Sequence, residues 1–231
     1  MSRRVQAVRY ENVIQELMKK IEGESTGVDP WDRKFERAIQ QARSSGIEEM
    51  KAIKTWDDFL AWMNKLLTWV PTENIQGKDI YNHLCLFYFV FDQKAVIGLQ
   101  TPIQPGPHPE SLTWISAWLV RYANAMGQFL DTPESLTVAS IQSFNDSPNY
   151  NMDDYIIPRT GWKTFNDIFA RNFKPGYRPI AAISDPTVIV SPADSTFDGQ
   201  WEIRSDAGVT IKNIHWKQTW EPGWVKPVLP G

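Results

Sequence analysis

Asp79-Ile-Tyr-Asn-His-Leu-Cys-Leu-Phe-Tyr-Phe-Val-Phe91 is apolar on nearly every face of the helix it would form. An exposed amphipathic helix keeps one polar side, so this element is expected at the centre of a helical core. Cys85, the one cysteine of the chain, sits within its apolar run and is expected to be a buried small hydrophobe. A single thiol also excludes a disulfide framework within one chain.

Helices are expected on both sides of it. Val13, Leu17 and Ile21 recur at four-residue spacing, and Phe35, Ala38, Ile39 and Ala42 mark a second short helix. Thr55 with Asp58 has capping-box character, and Phe59, Leu60, Met63, Leu66, Leu67 and Val70 follow with helical period up to Pro71. After a proline-rich loop, a long helix is predicted from about Glu110 to Leu130. It has two apolar stripes, one of Leu112, Ile115, Leu119, Tyr122 and Met126, the other of Trp114, Trp118, Ala125 and Phe129. Two such faces need two partners, either two layers of protein or protein plus an apolar ligand. Thr132 before Pro133 is a good cap and first-turn pair for a further helix.

The pattern changes after about residue 146. Asn149 to Pro158 is polar and irregular, Thr164 to Phe173 reads as a short helix capped by Thr164 with Asp167, and Pro175 and Gly176 end it. Thr187–Val190, Gln200–Ile203 and Val209–Ile214 read as short strands. The expected class is therefore α+β: a mainly helical domain over residues 1–146, then a segment with short strands and an irregular tail over 147–231.

A chain of 231 residues, 42% of them hydrophobic, can bury a substantial core. Its 11 tryptophans make a large apolar cavity an expectation. The formal net charge of −3 supplies no general positive field for phosphate backbones, which argues against nucleic-acid binding. Arg3, Arg4 and Arg9 precede no apolar stretch of the kind a secretory signal needs, and the longest apolar run stops at Asp92, far short of the roughly twenty residues of a membrane-spanning helix. A cytoplasmic protein is the expectation. His83, His108 and His215 are too far apart to form a zinc motif, so no metal is expected, and there is no nucleophile elbow, phosphate loop or dinucleotide fingerprint.

Two blocks carry a resemblance. The first is Tyr150-Asn-Met-Asp-Asp-Tyr-Ile-Ile-Pro158 followed by Gly161-Trp-Lys-Thr-Phe-Asn-Asp-Ile-Phe-Ala-Arg-Asn-Phe-Lys-Pro-Gly-Tyr-Arg-Pro179. The second is Val188-Ile-Val-Ser-Pro-Ala-Asp-Ser-Thr-Phe-Asp-Gly-Gln-Trp201, continued by Val209-Thr-Ile-Lys-Asn-Ile-His-Trp216. Together they resemble the fungal phosphatidylserine-decarboxylase-like family, which includes tryptophan-decarboxylase-like members. The resemblance implies a cofactor made by cleaving the chain at a Gly-Ser bond, which turns the serine into a pyruvoyl electron sink. It also implies three parts for that cleavage: an Asp in the Ser-Pro-Ala-Asp segment, a downstream histidine motif and the serine itself. Asp194 matches the first. The other two have no counterpart, since no serine of the chain follows a glycine. No cofactor is therefore expected, and pyruvoyl-dependent decarboxylation by this chain is not.

Asp194 lies between apolar Val188–Val190 and Phe197, where desolvation would raise a carboxyl pKa into a range useful for proton transfer; its alternative role is to cap a turn after Pro192. His215, between Ile214 and Trp216, is either a hydrogen-bond donor to a substrate carbonyl or a half-buried strand residue. Trp114, Trp118, Trp162, Phe165, Phe169, Phe197, Trp201 and Trp216 are candidates to line a substrate cavity, with ordinary core packing as the alternative. Three functional readings follow. One is a cofactor-independent enzyme that binds an apolar small molecule and steers a cyclisation, pericyclic step or isomerisation. Another is a non-catalytic interaction protein that docks a decarboxylase or a second copy of itself. The third is the leading fragment of a pyruvoyl-dependent decarboxylase.

Overall fold

The computed structural model describes residues 9–102 and 111–190, together with the backbone of three strands at 208–211, 214–217 and 226–228. These residues are mostly helical. They fall into two compact units, one of residues 1–101 and 112–177, the other of 102–111 and 178–231.

Among the described residues, the first unit holds seven α-helices. Helices α1 (Asn12–Gly23) and α2 (Trp31–Ser44) bury the stripes read from the sequence: Val13, Ile14, Leu17 and Ile21 on α1, and Phe35, Ala38, Ile39 and Ala42 on α2. Helix α3 (Trp56–Leu66) begins with the expected capping box, in which Thr55 and Asp58 satisfy each other's backbone N–H groups. Helix α5 (Trp114–Leu130) starts later than its apolar pattern because the Thr113 side chain caps it by accepting from the Ser116 N–H.

The central aromatic core joins α2 to α5. Phe35, Phe59, Phe87, Phe91, Trp118 and Tyr122 pack there, with Phe87 stacked on Tyr122 at 4.7 Å between ring centroids. Both polar handles in this core are satisfied by backbone. The Trp118 indole N–H donates to the Val13 carbonyl at 2.7 Å, and the Tyr122 hydroxyl donates to the Met63 carbonyl at 2.8 Å. Much of the aromatic content is thus used in packing.

Helix α4 (Asp79–Phe91) departs from its expected central place. It buries Leu86, Phe87, Val90 and Phe91, while Tyr81, Leu84, Cys85 and Tyr88 are exposed along one side. The expectations that the helix is enclosed and that Cys85 is buried are corrected together. The physical reason is that α2 and α5 supply partners for one face, and an apolar composition does not create a partner for the other.

A second, smaller core holds Phe144, Phe165 and Ile168. Helix α6 (Val138–Asp146) is capped by Thr137 with Ser140, and α7 (Phe165–Phe169) by Thr164 with Asp167. The Thr132-Pro133 pair starts only a 3-10 turn at Pro133–Ser135, because Thr137 captures the helix start a few residues later. That turn has its own role: the Ser135 hydroxyl accepts from the buried N–H of Phe165 at 2.9 Å and so fixes the entry to α7. Helix α7 stops at Ala170 rather than reaching Phe173. Tyr155 and Phe173 then pair across an isolated bridge with their rings stacked at 4.4 Å.

In the second unit, Thr187–Val190 is not a strand. Asp185 accepts from both the N–H and the hydroxyl of Thr187, a turn that withdraws this segment from a ladder, and its three apolar residues are exposed. Strands β1 (Gly208–Ile211), β2 (Ile214–Lys217) and β3 (Lys226–Val228) form an antiparallel sheet in that order. Thr210 pairs with His215 and Val209 with Trp216, so the expected strand at Val209–Ile214 is divided between β1 and β2. The strand expected at Gln200–Ile203 lies outside the described residues.

Candidate functional site

The first unit contains an apolar cavity of about 390 Å³. The end of α3 and the segment after it contribute Leu66, Trp69 and Pro71, α4 contributes Ile80, His83 and Leu84, and α5 contributes Met126 and Leu130. The remaining wall is Phe144 of α6, Tyr150, and the α7 region from Phe165 to Arg171.

The side of the cavity around Tyr150 is held by a buried carboxylate. One oxygen of Glu73 accepts from the N–H groups of Asn74 and Asp79, at 2.9 and 2.5 Å, and the other accepts from the Tyr150 hydroxyl at 2.7 Å. Asp79 is the first residue of α4, so the carboxylate also meets the positive end of that helix. Burial, then the hydrogen bond to Glu73, pushes the Tyr150 pKa well above the usual tyrosine range. The loop carrying Glu73 is pinned at Gly77, whose φ of +65° suits glycine and whose missing side chain admits Asn149; the Asn149 amide donates to the Gln76 carbonyl at 2.9 Å.

His83 lies between two indoles, 4.1 Å from Trp69 and 6.3 Å from Trp62, with nearly parallel rings. Its Nδ1 is 2.9 Å from the Asp79 carbonyl, which can only accept, so Nδ1 carries the proton and Nε2 keeps its lone pair in the neutral ring. Arg171 closes the other side. Its Nη1 donates to the Ile168 carbonyl at 3.0 Å and its Nη2 to the Tyr150 carbonyl at 3.4 Å, and the guanidinium stacks 4.1 Å over the Tyr155 ring. Its Nε is buried without a partner.

Of the residues singled out from the sequence, Phe165 and Phe169 line this cavity. Trp162 packs against the same small core and faces an adjoining recess shared with Asp131 and Arg171. Trp114 lies elsewhere, under the charged groups of Lys20 and Arg121, and Trp118 is enclosed in the main core. Asp194, Phe197 and Trp201 are outside the described residues. His215 and Trp216 are described only as backbone of β2. Glu73, His83, Tyr150 and Arg171 were not singled out from the sequence. Six separate segments bring the cavity wall together, so no local spacing marks it, although Tyr150 and Arg171 both stand in the block that carries the family resemblance.

The described residues hold no group of three or more His, Cys, Asp or Glu placed to bind a metal, and no helix among them is long and apolar enough to cross a membrane. The arrangement is suited to binding: apolar walls, with His83, Asn166 and Arg171 as its polar groups besides Tyr150.

Residues 165–220 match the profile of the family described as phosphatidylserine decarboxylase. The chain is 42% identical over 69 residues to phosphatidylserine decarboxylase proenzyme 3 of Schizosaccharomyces pombe, covering 30% of this chain and 7% of that protein. It is 27% identical over 149 residues to proenzyme 2 of Oryza sativa subsp. japonica, covering 58% and 24%. It is 40% identical over 77 residues to the proenzyme of Saccharophagus degradans, covering 33% and 26%. The chain therefore spans about a quarter or less of the length of these relatives. No solved structure matches it. The matched region begins at the first residue of α7, so the helix that closes the cavity opens a phosphatidylserine-decarboxylase-like segment, and it is over residues 165–220 that the chain is similar to that family.

Proposed function

We propose that the chain is the helical leading part of a decarboxylase of the phosphatidylserine type, a body that carries the family's segment and does not decarboxylate with its own residues. One observation supports this above the others. Helix α7, where the family match starts, is a structural member of the helical unit: Phe165 and Ile168 fill its second core, and Ser135 holds the Phe165 N–H. In this reading the residues from 178 onward open the family's strand-containing part, with β1–β3 among its strands, which gives the whole an α+β character.

A pyruvoyl group made from this chain does not fit the residues present, because no Gly-Ser bond occurs in it. No step is routed through one. The contribution of this chain is to anchor α7 and shape the apolar cavity beside it, and a cytoplasmic location goes with that role. Two measurements test the proposal. Intact mass spectrometry should give one species of 26.6 kDa, and the chain alone should release no carbon dioxide from phosphatidylserine or tryptophan. Mixed with the remainder of the Saccharophagus degradans relative, it should form a complex on size-exclusion chromatography. A pyruvate-blocked fragment, or two parts that ignore each other, would defeat it.

A second reading keeps the cavity as the site of a cofactor-free cyclisation, pericyclic step or isomerisation of an apolar intermediate. The observation in its favour is the oriented imidazole of His83 at an apolar wall. Incubation with apolar biosynthetic intermediates tests it, and no rate enhancement with any of them removes it.

A further inference from the structure

Arg171 is a cation on the wall of an apolar cavity, and its own surroundings do not neutralise it. Its hydrogen bonds go to two backbone carbonyls, and its stacking partners are the Tyr155 and Tyr150 rings. Among the described residues it has no ion pair with a carboxylate, and the buried Nε–H has no acceptor. Of the acids near the cavity wall, Glu73 is occupied by three donors, Asp131 accepts from Asn166, and Asp167 caps α7; Asp131 and Asp167 share a recess with Arg171 without an ion pair to it, and no Asp or Glu lines the cavity itself. A buried donor without an acceptor forfeits stability, and a charged one more so, which makes such an atom a marker for a missing ligand group or water.

The rest of the cavity sets the remaining chemistry. Leu66, Ile80, Met126, Leu130 and Phe144 offer apolar contact over about 390 Å³, within the roughly 300–1,000 Å³ usual for small-molecule sites. A water molecule would leave that apolar space unfilled. An apolar molecule ending in a carboxylate suits both features of the cavity: its head pairs with the Arg171 cation in a charge-assisted hydrogen bond and its tail displaces water from the walls. We propose that the cavity of the helical unit is a binding site for apolar carboxylates, with Arg171 as the head-group residue and the α5–α6 wall as the tail surface. This stands independently of the decarboxylase reading, since it rests on residues of the helical unit alone.

The test is calorimetric titration of the full chain with decanoate, decanol and decyltrimethylammonium, each below its micellar concentration. Decanoate should bind at least tenfold more tightly than decanol, and the cation more weakly than either. Arg171→Gln should remove the preference for decanoate while decanol still binds, and Arg171→Lys should restore part of it. Met126→Trp, which fills the tail space from α5, should abolish binding of all three in a protein whose thermal unfolding remains cooperative. Because Arg171 also braces backbone, its variants are interpreted only if folded; the ranking of the three probes on the unaltered protein decides the matter without them. Equal affinity for decanoate and decanol overturns the proposal, as does no binding, or decanoate binding that survives Met126→Trp. Light scattering that shows an oligomer which decanoate does not disperse would assign the cavity to a second chain instead.

Discussion

The hydroxyl of Tyr150 donates to Glu73 at 2.7 Å across 77 positions of sequence, and this bond fastens the family-like block to the loop that starts α4. Tyr150→Phe leaves a buried carboxylate short of one donor, and should cost about 1–3 kcal/mol in urea unfolding. Glu73→Gln keeps the volume but exchanges an acceptor for a donor, and should cost at least as much.

The same pair sets a dependence on alkaline pH. The folded Tyr150 pKa is raised above the ordinary value near 10, by burial first and Glu73 second. Below that ordinary value both states keep the proton, so this stabilising contribution is fully present. As pH rises beyond it, the unfolded chain releases the proton first, and stability falls until the folded value is passed. Tyr122, raised by burial, acts in the same direction. The urea midpoint should therefore decline above about pH 10, and less steeply in Tyr150→Phe than in the unaltered protein.

Trp118 answers a different question. It is fully enclosed, with its N–H on the Val13 carbonyl. Trp118→Ala should lose roughly 3–5 kcal/mol and bring the protein close to unfolding, whereas Trp118→Phe should lose less, giving up the indole hydrogen bond to a carbonyl that α1 still pairs within the helix. Denaturant melts of the two variants, compared with decanoate binding to whichever remains folded, separate packing from ligand contact. A folded Trp118→Ala protein that binds nothing would contradict its place in the core.

Helix α7 is short, so its cap matters. Removing the Thr164 oxygen that accepts from the Asp167 N–H should cost about 1 kcal/mol, measured by chemical denaturation of Thr164→Ala. Exchange of the amide hydrogens of α7 should quicken more than that of α3, whose capping box is untouched.

Cys85 lies on the exposed side of α4, and a thiol reagent should modify it in the native protein without denaturant. Modification that requires urea would show this side to be covered in solution.

Much of the helical unit is legible from residue spacing because its cues are local. The capping boxes at Thr55 and Thr164 and the buried stripes of α1 and α2 are statements about neighbours three and four positions apart. The two stripes of α5 were harder. Ile115, Trp118 and Tyr122 are the residues it buries, drawn from both stripes, because helix orientation is decided by α1 and α3 at a distance in sequence. The misjudged side of α4 has the same cause: hydropathy measures what a face would prefer, and only the fold supplies its neighbour. Tryptophan content predicts a cavity walled by indoles, whereas the cavity of the helical unit has Trp69 as its one indole among the described residues. Its polar groups depend on contacts such as Glu73 with Tyr150, for which a single sequence carries no spacing rule.

The seam at α7 has a consequence for the order of synthesis. The main core is complete in sequence once Tyr122 has been made, and domains tend to fold as units while the chain is still emerging. The second core cannot close until Phe165 and Ile168 have left the ribosome, so Phe144 and its neighbours must wait for the first residues of the family-like region. A nascent chain stalled before residue 165 would hold a finished aromatic core beside an open apolar flank, with its first risk of aggregation there.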